Sequence, residues 1–233
     1  STFLQRAYDQ IINDLCINNS NALILVYRAS IYGNKDMTHL GFNDITMLGN
    51  MPNLMYLAPT TVEELESSIR YGLEHHNHPI AIRIPVGSPI YETSQSNTTG
   101  CPVTSYDITQ SGSTIAIIGV GNFYHKAVEL SHAIHDAMHI SPTLVKPLCI
   151  SSLDTDTLNK LRKNHNIVIT LEDGELEGGY GQKIASYYGK TSMNVLNYGI
   201  SKQFYDRYKP EDVLQQNHFD FKHILDDIRN IQH

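Results

Sequence analysis

Cysteine is scarce: Cys16, Cys101 and Cys149 are the three in 233 residues, and none stands in a CxxC pair. So few and so scattered, they exclude a disulfide framework and a cysteine-rich zinc site, and they fit a reducing, cytoplasmic compartment. Positive charge is also thin. Lys and Arg number 17 against 24 Asp and Glu, a net charge of -7, and no long Lys/Arg run occurs. That balance argues against a polyanion-binding surface, so no nucleic-acid partner is expected. No apolar run approaches the roughly 20 residues that span a bilayer, and no membrane partner is expected. The opening Ser1-Thr-Phe-Leu-Gln-Arg6 has neither a signal-peptide core nor an initiating Met, and the chain reads as cut from something longer. What is present, 41% hydrophobic and 18% charged residues, is ordinary for a globular chain with room for one large or two small domains.

Strand and helix signals alternate. Phe3, Ala7, Ile11 and Leu15 recur every four residues behind Ser1 or Thr2, a capping start, so a helix is expected up to the Asn18–Asn21 turn. A strand is expected over 22–27, its apolar run suited to burial on both faces. Next come a short helix near 42–48, a strand near 54–57, a helix from Pro59 to about His75, and a strand at 80–84. In the helix from Pro59, Thr61 and Glu64 have capping-box spacing, with Val62, Leu65, Ile69 and Leu73 on one face. From residue 87 to 112 periodicity gives way to Ser, Thr, Asn, Gly and Pro, and a linker is assigned to 89–112.

Beyond it the pattern predicts strands near 114–118, 143–145, 167–171 and 194–196. Helices are expected near 125–138, 155–163, 181–188 and 220–231, with a turn or short helix at Pro210. The fold class is therefore α/β: two parallel or mostly parallel three-layer sandwich domains, residues 1–88 and 113–233.

The stretch from Tyr27 to Gly41 is the candidate seat of chemistry. It leaves the carboxyl end of an expected parallel strand, where open α/β sheets place ligands, and it carries Arg28, His39 and two glycines. Its length is unusual for a mere connection. Other polar features have bland readings. Gly119-Val-Gly-Asn122 lacks the third glycine of a dinucleotide loop. Gly178-Gly-Tyr-Gly181 reads as a tight strand-to-helix turn. His132, His135 and His139 share the solvent face of a helix, so no metal site is assigned to them. His75-His76-Asn77-His78 reads as a polar loop, and Glu172, Asp173, Glu175 and Glu177 as an acidic run in solvent or at a subunit contact.

The decapeptide Ser1–Gln10, Arg28-Ala29, Gly33, Thr38-His39-Leu40-Gly41, Pro52-Asn53 and Arg83-Ile84-Pro85 lie in order along the first half. The second half has Val145-Lys146-Pro147-Leu148 and Leu171-Glu172-Asp173, followed by Gly178–Gly181. In this arrangement the chain resembles the 1-deoxy-D-xylulose-5-phosphate synthases, thiamine-diphosphate enzymes of the transketolase superfamily. The resemblance implies a partial pyrimidine-binding domain over 1–88 and a transketolase C-terminal domain over 113–233. It places the diphosphate-binding domain, with the Mg²⁺ and diphosphate ligands, outside the chain. It implies a homodimer completed by that missing domain and a fragment inactive alone. The implied reaction condenses pyruvate with glyceraldehyde 3-phosphate, with loss of CO₂, to 1-deoxy-D-xylulose 5-phosphate, a precursor of isoprenoids, thiamine and pyridoxal. By position, Phe3 would stack on the cofactor's aminopyrimidine, Arg28 and Arg6 would bind substrate, and His39 would be the catalytic proton donor or acceptor.

Three places depart from the family pattern. Asp-Arg-Ala-Gly reads Tyr27-Arg28-Ala29-Ser30, and Gly-x-Asp-Gly reads Gly33-Asn34-Lys35-Asp36. Tyr-Pro-Arg-Gly reads Ile84-Pro85-Val86-Gly87. Losing the last arginine removes a charge-assisted phosphate contact of about 1.5–3 kcal/mol, so weak glyceraldehyde 3-phosphate binding is expected. These changes motivate an alternative, a catalytically impaired homologue kept as an assembly or binding partner. A nicotinamide oxidoreductase using the Gly119 loop is a third reading and would require cofactor binding.

Overall fold

The computed structural model describes residues 1–31, 36–74, 77–85 and 103–232. The expectations at Gly33, Lys35, His75, His76, Val86, Gly87 and Cys101, and most of the assigned linker, lie outside the described residues.

The chain opens as a helical stretch of changing pitch: Thr2–Ala7 winds as a 3-10 helix, α1 (Tyr8–Gln10) as an α-turn, and Ile11–Cys16 as a π-helix. The expected regular, capped helix is not formed. Ser1 makes no side-chain cap, and the Thr2 hydroxyl donates instead to the Leu40 carbonyl. With three residues per turn, Leu4 and Ala7 align toward the core, and Phe3 is left 61% exposed.

Strand β1 (Leu23–Val26) pairs in parallel with β3 (Ile80–Arg83), and β3 with β2 (Met55–Leu57), in the order β1-β3-β2. Lying outermost, β1 has three half-buried residues and only Val26 fully enclosed, rather than burial on both faces. Between these strands run α2 (Asp44–Leu48) and α3 (Val62–Glu74). At the start of α3, Thr61 Oγ1 accepts the Glu64 N–H at 3.2 Å, as capping-box spacing anticipates. The Glu64 carboxylate reaches one residue further back, to the Thr60 N–H and hydroxyl, both at 2.7 Å. Leu65 and Ile69 pack inward, but Leu73 stays exposed.

The second sheet has five strands in the order β4-β6-β5-β7-β8. They are β4 (Tyr106–Gln110), β5 (Thr114–Gly119), β6 (Thr143–Pro147), β7 (His165–Glu175) and β8 (Asn194–Ile200). All neighbours are parallel except β4, which runs antiparallel to β6. β4 falls inside the stretch assigned to the linker. A single-partner edge strand reading Tyr-Asp-Ile-Thr-Gln carries little of the apolar alternation that would reveal it. Helices α4 (Tyr124–Met138), α5 (Thr155–Leu161), α6 (Tyr180–Tyr188), α7 (Pro210–Gln216) and α8 (Phe221–Gln232) complete the architecture. On α4, Ala127, Leu130 and Ile134 are buried while His132, His135 and His139 face outward.

The two sheets share their cores. Ile45, Leu48 and Tyr56 pack in one cluster with Ala116, Ile118 and Tyr180. Leu40 and Phe42 join Ile117, Ile169 and Tyr205 in another. Main-chain bonds cross the same boundary: Ala58 N–H donates to the Leu148 carbonyl and Ile150 N–H to the Tyr56 carbonyl, each at 2.8 Å. Arg83, 2% exposed, donates through Nε to Asp44 at 2.8 Å and is also paired with Asp173 of β7. Burial works against its charge, and Asp173 and Asp44 outweigh that. A second buried pair, Lys146 of β6 with Glu64 of α3, spans the halves at 2.5 Å.

Candidate active site

The loop after β1 closes on itself before it reaches the site. Arg28 and Ser30 turn the chain with φ of +56° and +95°, a sparsely populated region for residues with a side chain. The Ser30 N–H then donates to the Gly41 carbonyl at 2.7 Å. A Cβ added at Gly41 would lie 2.2 Å from the Arg28 carbonyl oxygen, so only glycine lets the two arms meet. Between them, Met37–His39 forms one tight turn in which the His39 N–H donates to Asp36 O at 2.8 Å. Thr38 Oγ1 and His39 Nδ1 share a hydrogen bond of 2.9 Å.

This turn borders a cavity of about 1,090 Å³. Phe3, Arg6 and His39, three of the four residues marked in the sequence, line it together. The Phe3 and His39 rings meet edge to face with centroids 5.3 Å apart, and the Arg6 guanidinium carbon lies 5.6 Å from the Phe3 ring centre. Arg28 is exposed and outside the lining, although it is near enough to the Ser1 amino group to influence its charge.

Another part of the lining comes from the second half. Glu175 and Glu177, at and beyond the end of β7, and Lys202, Gln203 and Phe204, beyond β8, all face the cavity. The Glu175 N–H donates to the Phe42 carbonyl at 2.8 Å, which locks the end of β7 to the loop after His39. Lys202 lies 3.5 Å from Glu177. Burial raises the proton affinity of the Glu175 carboxyl, Lys202 opposes that, and Glu177 adds to it. The second half also holds the 36–39 turn from behind: Arg207 Nε donates to Asp36 at 3.1 Å, and Asp206 accepts the Met37 N–H at 3.3 Å. This wall was missed in the sequence because more than 130 residues separate it from His39. Its one visible signal was the acidic run.

Half of that run is not solvated. Glu172 and Asp173 are 0% exposed. The Glu172 carboxylate accepts the N–H groups of Tyr180 and Gly181, each at 2.8 Å, at the start of α6. Burial pushes its pKa up to about 7. The Gly178–Gly181 turn therefore meets a carboxyl group of its own chain, with two otherwise orphaned helix donors satisfied internally. Asp173 is taken by Arg83 and by Asn122, whose amide donates at 3.2 Å. The Gly121 loop is packed against Arg83 and Ala58, each 3.6 Å from a Cβ built at Gly121. Among the described residues no three His, Cys, Asp or Glu side chains are grouped to hold a metal ion, and no helix is long and apolar enough to cross a membrane.

The chain matches two family models: the transketolase pyrimidine-binding domain over residues 1–88 and the transketolase C-terminal domain over residues 105–224. It is 31% identical to a 1-deoxy-D-xylulose-5-phosphate synthase of Clostridium tetani, covering 99% of this chain and 37% of that protein. The synthase of Gloeothece citriformis is 33% identical over 98% of this chain and 36% of its own length. The chain thus spans little more than a third of these curated relatives. A solved structure described as a split gene transketolase, inactive beta4 tetramer, shares the fold with a TM-score of 0.82 at 19% identity, covering 98% of this chain and 73% of that one. The chain belongs to the transketolase family, with the pyrimidine-binding match in its first half and the C-terminal-domain match in its second.

Proposed function

We propose that this chain forms the pyrimidine and acceptor side of a synthase that condenses pyruvate with glyceraldehyde 3-phosphate, with loss of CO₂, to 1-deoxy-D-xylulose 5-phosphate. The observation that carries this reading is one cavity lined by Phe3, Arg6 and His39, reached from separate parts of the first half. The residues fit a thiamine cofactor on the pyrimidine side: the exposed Phe3 ring offers a flat apolar face, steadied at its side by His39. When bound, thiamine diphosphate supplies the electron sink that lets a 2-keto acid lose CO₂. Phe3 would hold the aminopyrimidine of that cofactor. His39 gives a proton to the acceptor's carbonyl oxygen as the new carbon–carbon bond forms. Arg6 at the wall and Arg28 near the rim attract the anionic ends of the substrates.

Diphosphate and Mg²⁺ are assigned to a binding domain outside these 233 residues, in keeping with the chain's 37% span of its relative. The division into residues 1–88 and 113–233, a homodimeric assembly and a cytoplasmic location are parts of the same reading. The 233-residue chain alone is expected to be inactive. The test is thiamine-dependent CO₂ release from pyruvate and formation of the ketose phosphate. Both are measured on the chain alone and on the chain assembled with a diphosphate-binding domain. Turnover only in the assembly supports the reading, and turnover by the chain alone overturns it.

One observation favours the impaired-partner alternative. Asp36, the carboxylate one place beyond Lys35, is engaged by Arg207 at 3.1 Å and is not part of the cavity lining. An assembly that forms with the diphosphate-binding domain but leaves pyruvate intact would establish that alternative.

A further inference from the structure

The cavity lining divides by chemistry as well as by chain. Among the described residues the first-half wall carries two phenylalanine rings, an arginine and a histidine, and both lining carboxyl groups belong to the second half. These two are not equivalent. Glu177 is exposed and paired with Lys202 at 3.5 Å. Glu175 is half-buried and forms no direct ion pair among the described residues. Its backbone is fixed on both sides, by the N–H bond to Phe42 and by the register with Ile200 of β8. The backbone that presents this side chain to the cavity is therefore fixed, which suits contact with a small ligand. Asp36 is turned to Arg207, so the loop carrying His39 brings no carboxyl of its own from the described residues to the lining.

We infer that Glu175 is a specificity-determining residue of this cavity, hydrogen-bonding the hydroxyl groups of a hydroxyaldehyde acceptor. The inference rests on the synthase reading above and deepens it by naming the substrate class this wall recognises. Sugar hydroxyls both donate and accept. The two oxygens of the Glu175 carboxyl can accept from such hydroxyls. Met37, Leu40, Phe42 and Phe204 supply apolar cover for the acceptor's carbon chain.

The test uses the assembled synthase with Glu175→Ala and Glu175→Gln. Removing a hydrogen bond to a carboxyl should raise the acceptor KM by about tenfold or more, with the pyruvate KM held to within about twofold. Glu175→Gln keeps a donor and an acceptor and should recover to within about threefold of wild type. An unchanged acceptor KM in Glu175→Ala, or equal losses for both substrates, overturns the inference. Wild-type assembly without thiamine-dependent turnover would instead defeat the synthase reading. Saturation-transfer NMR of the 233-residue chain with D-glyceraldehyde then decides the inference by itself. Contact in wild type that is lost in Glu175→Ala upholds it, and no contact in wild type overturns it.

Discussion

Thr38 engages His39 Nδ1 at 2.9 Å, so Nε2 is the nitrogen proposed to meet the acceptor oxygen. Replacing His39 with Asn should keep the Thr38 contact available and lower kcat of the assembled enzyme by about 10²–10⁴-fold, the usual range for a lost proton-transfer group. Steady-state kinetics would show it, and a loss below about threefold would remove His39 from the chemistry. Gly41 is a different kind of residue, needed for space rather than reactivity. Gly41→Ala puts a methyl 2.2 Å from the Arg28 oxygen, so the Ser30–Gly41 contact must open. Urea unfolding should report a loss of about 1–3 kcal/mol, as for other overpacked sites. The sequence marked His39 by its company, Thr38 and Gly41. It marked Glu175 only as one member of an acidic run, because its neighbour in space, Phe42, is 133 positions away.

Among the elements, α6 carries the clearest pH signature. Its first N–H groups are met by Glu172, whose pKa burial raises from 4.5 to about 7. The folded state therefore holds this proton more tightly than the unfolded chain does. The resulting stability is fully present below the unfolded value and is lost as pH rises through about 7. Between pH 5 and pH 8 the stability advantage of wild type over Glu172→Gln should shrink by about 2.5 kcal/mol. Chemical denaturation of both proteins across that range measures it, and parallel stability curves would show that Glu172 does not titrate there. The sequence marked α6 and its glycine turn by composition. It did not reveal the occupant of the turn, because an acidic run on a strand end looks the same whether the strand faces water or a helix N-terminus.

At the scale of the molecule, Arg83 joins the halves. It is enclosed with Asp44 from its own half and Asp173 from the other. Arg83→Met removes the cation and leaves two buried carboxylates without it, which should cost about 3–5 kcal/mol. Adding Asp44→Asn and Asp173→Asn should recover part of that loss, because the stranded charges are then gone. Unfolding monitored by circular dichroism would separate these outcomes, and a change below about 1 kcal/mol in Arg83→Met would mean the network is not closed in solution.

The alternation of strands and helices and the α/β class were legible in the sequence, because apolar periodicity is a short-range property, whereas Phe3, Arg6 and His39 were brought together as site residues by the family resemblance. Three features were not legible. The pitch of the opening helix depends on Thr2 finding Leu40. The edge strand β4 is defined by pairing with β6 rather than by its own composition. The second wall of the cavity is built by β7 and by the segment after β8. Each is decided by a partner distant along the chain. The sequence determined what each segment could become; the packing of two sheets around shared cores decided which charges would be buried, and which carboxyl groups would line a cavity with His39.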